Sequence, residues 1–274
     1  MEFKNPKVDE QANYSAEHPL KGFFQLTFAV VIIVASALII LHFFASYLVR
    51  YIPFNFEQDL VSGIEQLQLE ESARQVYLQN LADKVSSQMD LPEGMTITVH
   101  YVDDDLVNAF ATVGGHVFFY RGLVDKLKSE DALTMVMAHE IAHIKYRHPL
   151  SAMSKGLTLV LAGAAVSGFS GSSAGDALIG NTMNIGLLNF SRQQETQADE
   201  AALAAIKSIY GHVLGAKELF LLFSSLQNES VGGTGMEFFR SHPYSINRWN
   251  HLKLLAEQKR WPITGQLQSL DVPE

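Results

Sequence analysis

The chain has no cysteine among its 274 residues. Thiolate metal sites, disulfides and cysteine nucleophiles are therefore excluded, and the redox compartment stays open. It also lacks any cluster of lysine or arginine. Lys and Arg total 20 against 29 Asp and Glu, giving a formal net charge of -9 and a pI near 5.6. A surface without a basic patch does not hold a phosphate backbone, so no nucleic-acid partner is expected. Internal repeats and low-complexity tracts are not apparent. What is present is apolar: 47% of residues are hydrophobic and 18% charged, enough to bury a substantial core, in a length that suits one catalytic-sized domain plus extras.

Charge is missing altogether between Lys21 and Arg50, where Gly22 to Val49 reads GFFQLTFAVVIIVASALIILHFFASYLV. At about 1.5 Å per residue, a helix of this length exceeds the roughly 30 Å hydrocarbon core of a bilayer, leaving room for tilt and for His42 and Tyr47 near an interface. The run is much longer than a signal-peptide core and no small-x-small cleavage site follows it, so residues 22–49 are expected to form an uncleaved anchor in the lipid bilayer. Lys4, Lys7 and Lys21 precede the span and only Arg50 lies close behind it. The positive-inside rule then predicts a cytoplasmic N-terminus and an extracytoplasmic remainder from residue 51, periplasmic in a Gram-negative bacterium.

The chain divides accordingly into an N-terminal tail (1–21), the anchor (22–49), a connector (50–65), a folded domain (66–260) and a C-terminal tail (261–274). Gln66 to Met89 carries apolar residues at Val76, Leu81, Val85 and Met89 and predicts an amphipathic helix. "MTITVHYVD" alternates with period two and "VFFY" follows a glycine turn, so Thr96 to Tyr120 predicts two strands around a loop occupied by "NAFATVGG". Asp131 to Tyr146 is helical in pattern, with Pro149 marking its end. Gly156 to Phe190 is apolar but broken by glycine and serine, which suits a lid or a hairpin touching the membrane. Further helices are expected over Arg192 to Tyr210, around Phe220 to Leu226, and from "SHPYSINRWNHLKLL" onward, with "VGGTG" a flexible break before the last. The fold class is α+β, predominantly helical, with a small β-sheet.

Within "MVMAHEIAHIKYRH", His139 and His143 lie one helical turn apart on the same side, so both imidazoles can reach one ion, with Glu140 beside them. Leu133, Met137, Ile141 and Ile144 fall on a different arc, free to pack inward. By composition alone such a motif arises in about one chain in fifty. A catalytic zinc site also needs a third protein ligand and an open position. Glu195 is the best candidate, because Asp199 one turn along could orient a ligand histidine. His148, before Pro149, is read as a turn residue.

Taken in order, "NAFATVGGHVFFYRGLV", "HEIAH", "SRQQETQADE" and "SHPYSINR" resemble the signature blocks of the zinc metallopeptidases that include the CAAX prenyl protease and the HtpX-like and BepA-like proteases, over about residues 70 to 255. The resemblance implies a zincin-like domain of the HExxH gluzincin type holding one Zn2+ through His139, His143 and Glu195. It gives Glu140 the role of general base, Asp199 a supporting role behind the ligands, and His242 and Arg248 places near the reacting carbonyl. The implied activity is hydrolysis of peptide bonds in protein substrates, in proteolytic quality control. A zinc-holding chaperone or scaffold is the alternative, against which the glutamate beside the histidines argues. Unlike the multi-span relatives, this sequence has one clear span and no evident repeat array after the protease block. Substrate is expected to pair as a strand with an edge at Val117 to Tyr120. His242 could donate to the oxyanion or ligate the metal as a latch.

Overall fold

A computed structural model describes residues 19–61, 72–154, 190–229, 238, 242 and 246–273. The chain forms two compact units, residues 1–44 and 45–274. In the first lies most of helix α1, Pro19–Leu48, opened by a proline whose missing N–H costs nothing at a helix start. Phe23, Phe28, Ile33 and Ile40 are all exposed on it, so apolar side chains face outward on every side. The stretch Leu20–Ile40 is long and apolar enough to cross a membrane.

The second unit begins with a short 3-10 turn, Val49–Tyr51, and helix α2, Phe54–Leu60. Helix α3, Ala73–Ser86, starts at Ser72, whose hydroxyl accepts from the Gln75 N–H, and buries Leu78, Leu81, Ala82 and Val85. Val76, expected on the apolar face, is instead exposed, because Leu78 takes the inward position.

The region between Thr96 and Tyr120 makes three strands, not two: β1 (Thr98–Val102), β2 (Ala109–Ala111) and β3 (His116–Tyr120). The segment expected as loop contributes β2. Their order is β1-β3-β2, with β1 and β3 parallel and β2 antiparallel to β3 in the register Ala109↔Phe119, Ala111↔Val117. Val117 to Tyr120 is therefore the central strand, and an incoming peptide cannot pair with it; β1 and β2 are the outer strands. The turn into β3 needs its glycines. Gly114 and Gly115 have φ of 76° and 87°, and a Cβ would meet the Val61 side chain on the first and the Thr96 carbonyl on the second.

After the short α4, Arg121–Val124, comes α5, Glu130–Lys145, with Ser129 as N-cap and Glu130 and Asp131 in its first turn. Every residue from Asp131 to Ile144 is buried. Leu133, Met137, Ile141 and Ile144 do pack inward, but so does the opposite side, so α5 is the central rod of the unit. Its end is set by Arg147, at φ 58°, and not by Pro149, which stands inside a new helical segment over residues 148–154. Helix α6, Arg192–Tyr210, opens on a capping box between Ser191 and Gln194 and closes on Gly211 at φ 79°. It packs extensively on α5 through Ala198, Ala202, Leu203 and Ile206, the small side chains allowing close approach.

Helix α7, Leu214–Glu229, packs on α5, and α8, Ile246–Lys259, packs on α6 and α7. The stretch after α8 then runs back over the unit, with Val213 N–H donating to the Pro262 carbonyl and Glu130 N–H to that of Gln268. The expected lid or hairpin at 156–190, apart from Phe190, and the "VGGTG" break lie outside the described residues.

Candidate metal centre

Helix α5 carries His139, Glu140 and His143, and α6, crossing beside it, carries Glu195 and Asp199. On each helix the pair one turn apart faces the other helix. Because the capping box fixes the start of α6, Glu195 lies in its first turn, aimed at the histidines. His242 joins them from between α7 and α8. One ligating atom from each of His139, His143, Glu195 and His242 lies within 4.8 Å of the others, and all four residues are buried.

The Nε2 atoms of His139 and His143 are 3.0 Å apart. Glu195 sends Oε2 to 3.6 Å from His139 Nε2 and Oε1 to 3.5 Å from His143 Nε2. His242 Nδ1 is 3.0 Å from Glu195 Oε1 and 3.2 Å from His139 Nε2. Ring nitrogens and carboxylate oxygens thus converge on one small space. Among the described residues, both oxygens of the fully buried Glu140 and the Nε2 of His242 find no hydrogen-bond partner, although these two groups approach to 3.4 Å. Two imidazoles and a carboxylate converging on one point, with a further unpartnered carboxylate beside them, are the donor set that zinc takes, and no thiolate is needed. The residues fit the ion.

The surroundings set the charge of each group. Burial pushes the Glu140 carboxyl above its usual range, an effect eased by His242 and His139. Burial would raise Glu195 as well, but His242, His139 and Arg248 together hold it below the usual range, so it is ionised. For Asp199 burial is again the largest influence and is outweighed by Arg248, which holds the carboxyl well below its normal range. Arg248 grips Asp199 with two hydrogen bonds, Nε to Oδ2 at 2.8 Å and Nη2 to Oδ1 at 2.7 Å, and places Nη1 2.9 Å from Glu195 Oε2. Asp199 Oδ1 lies 3.0 Å from His139 Nδ1. The guanidinium expected beside a reacting carbonyl is thus engaged with the two carboxylates of α6.

Two aromatic residues that the sequence did not point to close the site. Phe190 stacks on His143, ring centroids 4.0 Å apart, and Phe238 stacks on His242 at 4.9 Å. His148 is buried, not a surface turn residue, and its Nδ1 is 3.0 Å from the Nδ1 of His143. No spacing rule announces it, since a residue five positions on faces His143 only when a left-handed residue bends the chain back.

Residues 72–256 match the profile of Peptidase family M48. The chain is 34% identical over 140 residues to a putative beta-barrel assembly-enhancing protease of Vibrio cholerae, which covers 47% of this chain and 28% of that one. It is 32% identical over 154 residues to the mitochondrial metalloendopeptidase OMA1 of Schizosaccharomyces pombe, covering 55% of this chain and 44% of the relative. With the beta-barrel assembly-enhancing protease of Escherichia coli K12 it shares 33% identity over 115 residues, 39% of this chain and 24% of that protein. The chain thus spans between about a quarter and a half of the length of these curated relatives.

Proposed function

Because the chain belongs to peptidase family M48, we propose that it is a zinc-dependent metalloendopeptidase of the HExxH gluzincin type, held to a membrane by α1 and hydrolysing protein substrates in proteolytic quality control. The observation that carries this reading is the buried convergence of His139, His143 and Glu195 beside the unpartnered carboxylate of Glu140. His139, His143 and Glu195 would hold the ion. When bound, zinc lowers the pKa of water toward neutrality and polarises the substrate carbonyl. Glu140, its proton affinity raised by burial, takes the proton from the attacking water and returns it to the leaving amine. Asp199, fixed by Arg248, accepts from His139 Nδ1–H and so keeps Nε2 turned to the ion. Arg248 acts through Asp199 and Glu195 as a positioning residue.

The extended substrate pairs with the outer edge of β2, since β3 is enclosed between its neighbours. Asn108 and Thr112, flanking β2, each bury a side-chain oxygen that has no hydrogen-bond partner among the described residues, which suits groups waiting for a substrate main chain. The anchor runs through residues 22–49 with the catalytic unit on the extracytoplasmic side, supported by Lys4, Lys7 and Lys21 before the span. The test is cleavage of an unfolded protein by the purified chain, abolished by a chelator and restored by zinc. Cleavage that survives complete removal of metal overturns the reading.

A further inference from the structure

The histidines expected to hold the metal are oriented from behind by different kinds of group. His139 turns its Nδ1 to a carboxylate, Asp199, at 3.0 Å. His143 turns its Nδ1 to the Nδ1 of His148, also at 3.0 Å, and His148 in turn sets its Nε2 3.2 Å from Gln197 Oε1 on α6. The geometry assigns His148 as the positioning residue of His143, a neutral imidazole that accepts from one ring and donates to the amide oxygen of Gln197. This rests on the reading of the cluster as a metal site.

Hydrogen-bond direction follows link by link. The Nε2 of His143 faces the Nε2 of His139 at 3.0 Å and Glu195 Oε1 at 3.5 Å, so a cation there requires a lone pair on that atom. The ring proton of neutral His143 is then on Nδ1, and the Nδ1 of His148 must accept it. That leaves the His148 proton on Nε2, where Gln197 Oε1 accepts. Each donor along the chain meets an acceptor.

The local fold explains why a residue five positions after His143 can do this. Arg147 at φ 58° turns the backbone out of the helix and brings His148 back beside the last turn of α5. Arg147 is itself fixed, donating to the carbonyls of Val49 and Ile52 and paired with Glu57. His148 is 4% exposed and His143 fully buried, so water does not compete for the contact. Charge explains the choice of imidazole. Glu140, Glu195 and Asp199 already crowd the centre, faced by the guanidinium of Arg248. A further carboxylate behind His143 would add buried negative charge, whereas imidazole orients the ring and adds none.

The test is zinc affinity of the full-length protein, stripped of metal and titrated against a chelating indicator. His148→Phe keeps the ring bulk and removes the acceptor, and is expected to weaken zinc binding about 10- to 100-fold. His148→Asn offers Oδ1 where Nδ1 stood and is expected to recover most of the loss. In the zinc-loaded wild type, ring 15N shifts should show His143 protonated at Nδ1 and His148 at Nε2, an assignment no bulk structural role would fix. A wild type that binds no zinc overturns the metal reading, and this inference with it. If wild-type binding is tight and lost in His143→Ala but unchanged in His148→Phe, this inference alone is overturned. Should His148→Phe fail to fold, as its metal-free melting temperature would show, a His148 protonated at Nδ1 in the wild type overturns it.

Discussion

Arg147 reaches from the end of α5 to the buried carboxylate of Glu57, with 2.5 Å between Nη2 and Oε1, and so ties the helix of His139 and His143 to α2. Glu57 is 3% exposed, and its other oxygen accepts from the Gly114 N–H in the turn before β3. A buried pair is costly to break from one side, because the survivor is left charged without a counter-ion. Arg147→Met should therefore destabilise the second unit by about 3–5 kcal/mol in chemical denaturation. Adding Glu57→Gln should return much of that loss, and an additive double variant would refute the coupling.

Neither oxygen of Glu140 has a side-chain hydrogen bond among the described residues, and its side-chain neighbour His242 comes only to 3.4 Å. Glu140→Gln, nearly the same in shape, should leave zinc content and melting temperature unchanged while lowering the turnover of an unfolded protein substrate by about 10² to 10⁴. Undiminished cleavage by the purified variant would remove the general-base role.

Glu195 is different, because it is the carboxylate expected to touch the ion. Glu195→Ala takes the one carboxylate out of the set of His139, His143, Glu195 and His242, and should purify with much less metal than the wild type. It also removes the carboxylate oxygen that lies 2.9 Å from Arg248 Nη1, and that loss should appear as a modest fall in melting temperature. Full metal occupancy would show that the third ligand lies elsewhere.

What could be read from the sequence followed local periodicity. The two histidines of α5 and the Glu195–Asp199 pair of α6 are contiguous motifs, and the α6 helix bounds coincide with those predicted. The strand order did not follow, because which strand lies in the middle depends on β1 crossing to pair in parallel with β3, a non-local choice that alternation does not encode. Pro149 misled for a physical reason: proline ends a helix only from its interior, and at the start of a new segment it is well tolerated. Arg248 and His148 have their partners far along the chain or across a left-handed turn, where spacing carries no signal.

His100 gives the folded unit an acid-sensitive point outside the cluster of His139, His143, Glu195 and His242. Its Nε2 lies 2.8 Å from the Nδ1 of His116 and its ring stacks on Phe118. Burial, with His116 adding to it, pushes its pKa down to about 4. The unfolded chain, near 6.5, therefore binds a proton that the folded state refuses. Stability from this group is complete above pH 6.5 and is lost as pH falls toward 4. Melting temperature should decline across that window, and His100→Gln, which cannot titrate, should show a shallower decline. An identical slope in the variant would place the acid sensitivity elsewhere.

His242 can be a donor to the oxyanion or a fourth ligand that keeps the enzyme latent, and the two roles ask for different positions. A donor must face the space that substrate enters. The observed Nδ1 instead lies among the ligating atoms, 3.0 Å from Glu195 Oε1 and 3.2 Å from His139 Nε2, in a side chain that is fully buried. A fourth protein ligand occupies the position that the catalytic water requires, so a resting enzyme in this arrangement would be held off until His242 moved away. His242→Ala should then raise peptidase activity several-fold while zinc content stays the same. As a donor, its loss would lower kcat by about 10². A fall of that size with zinc retained would sink the latch and leave His242 as the oxyanion donor.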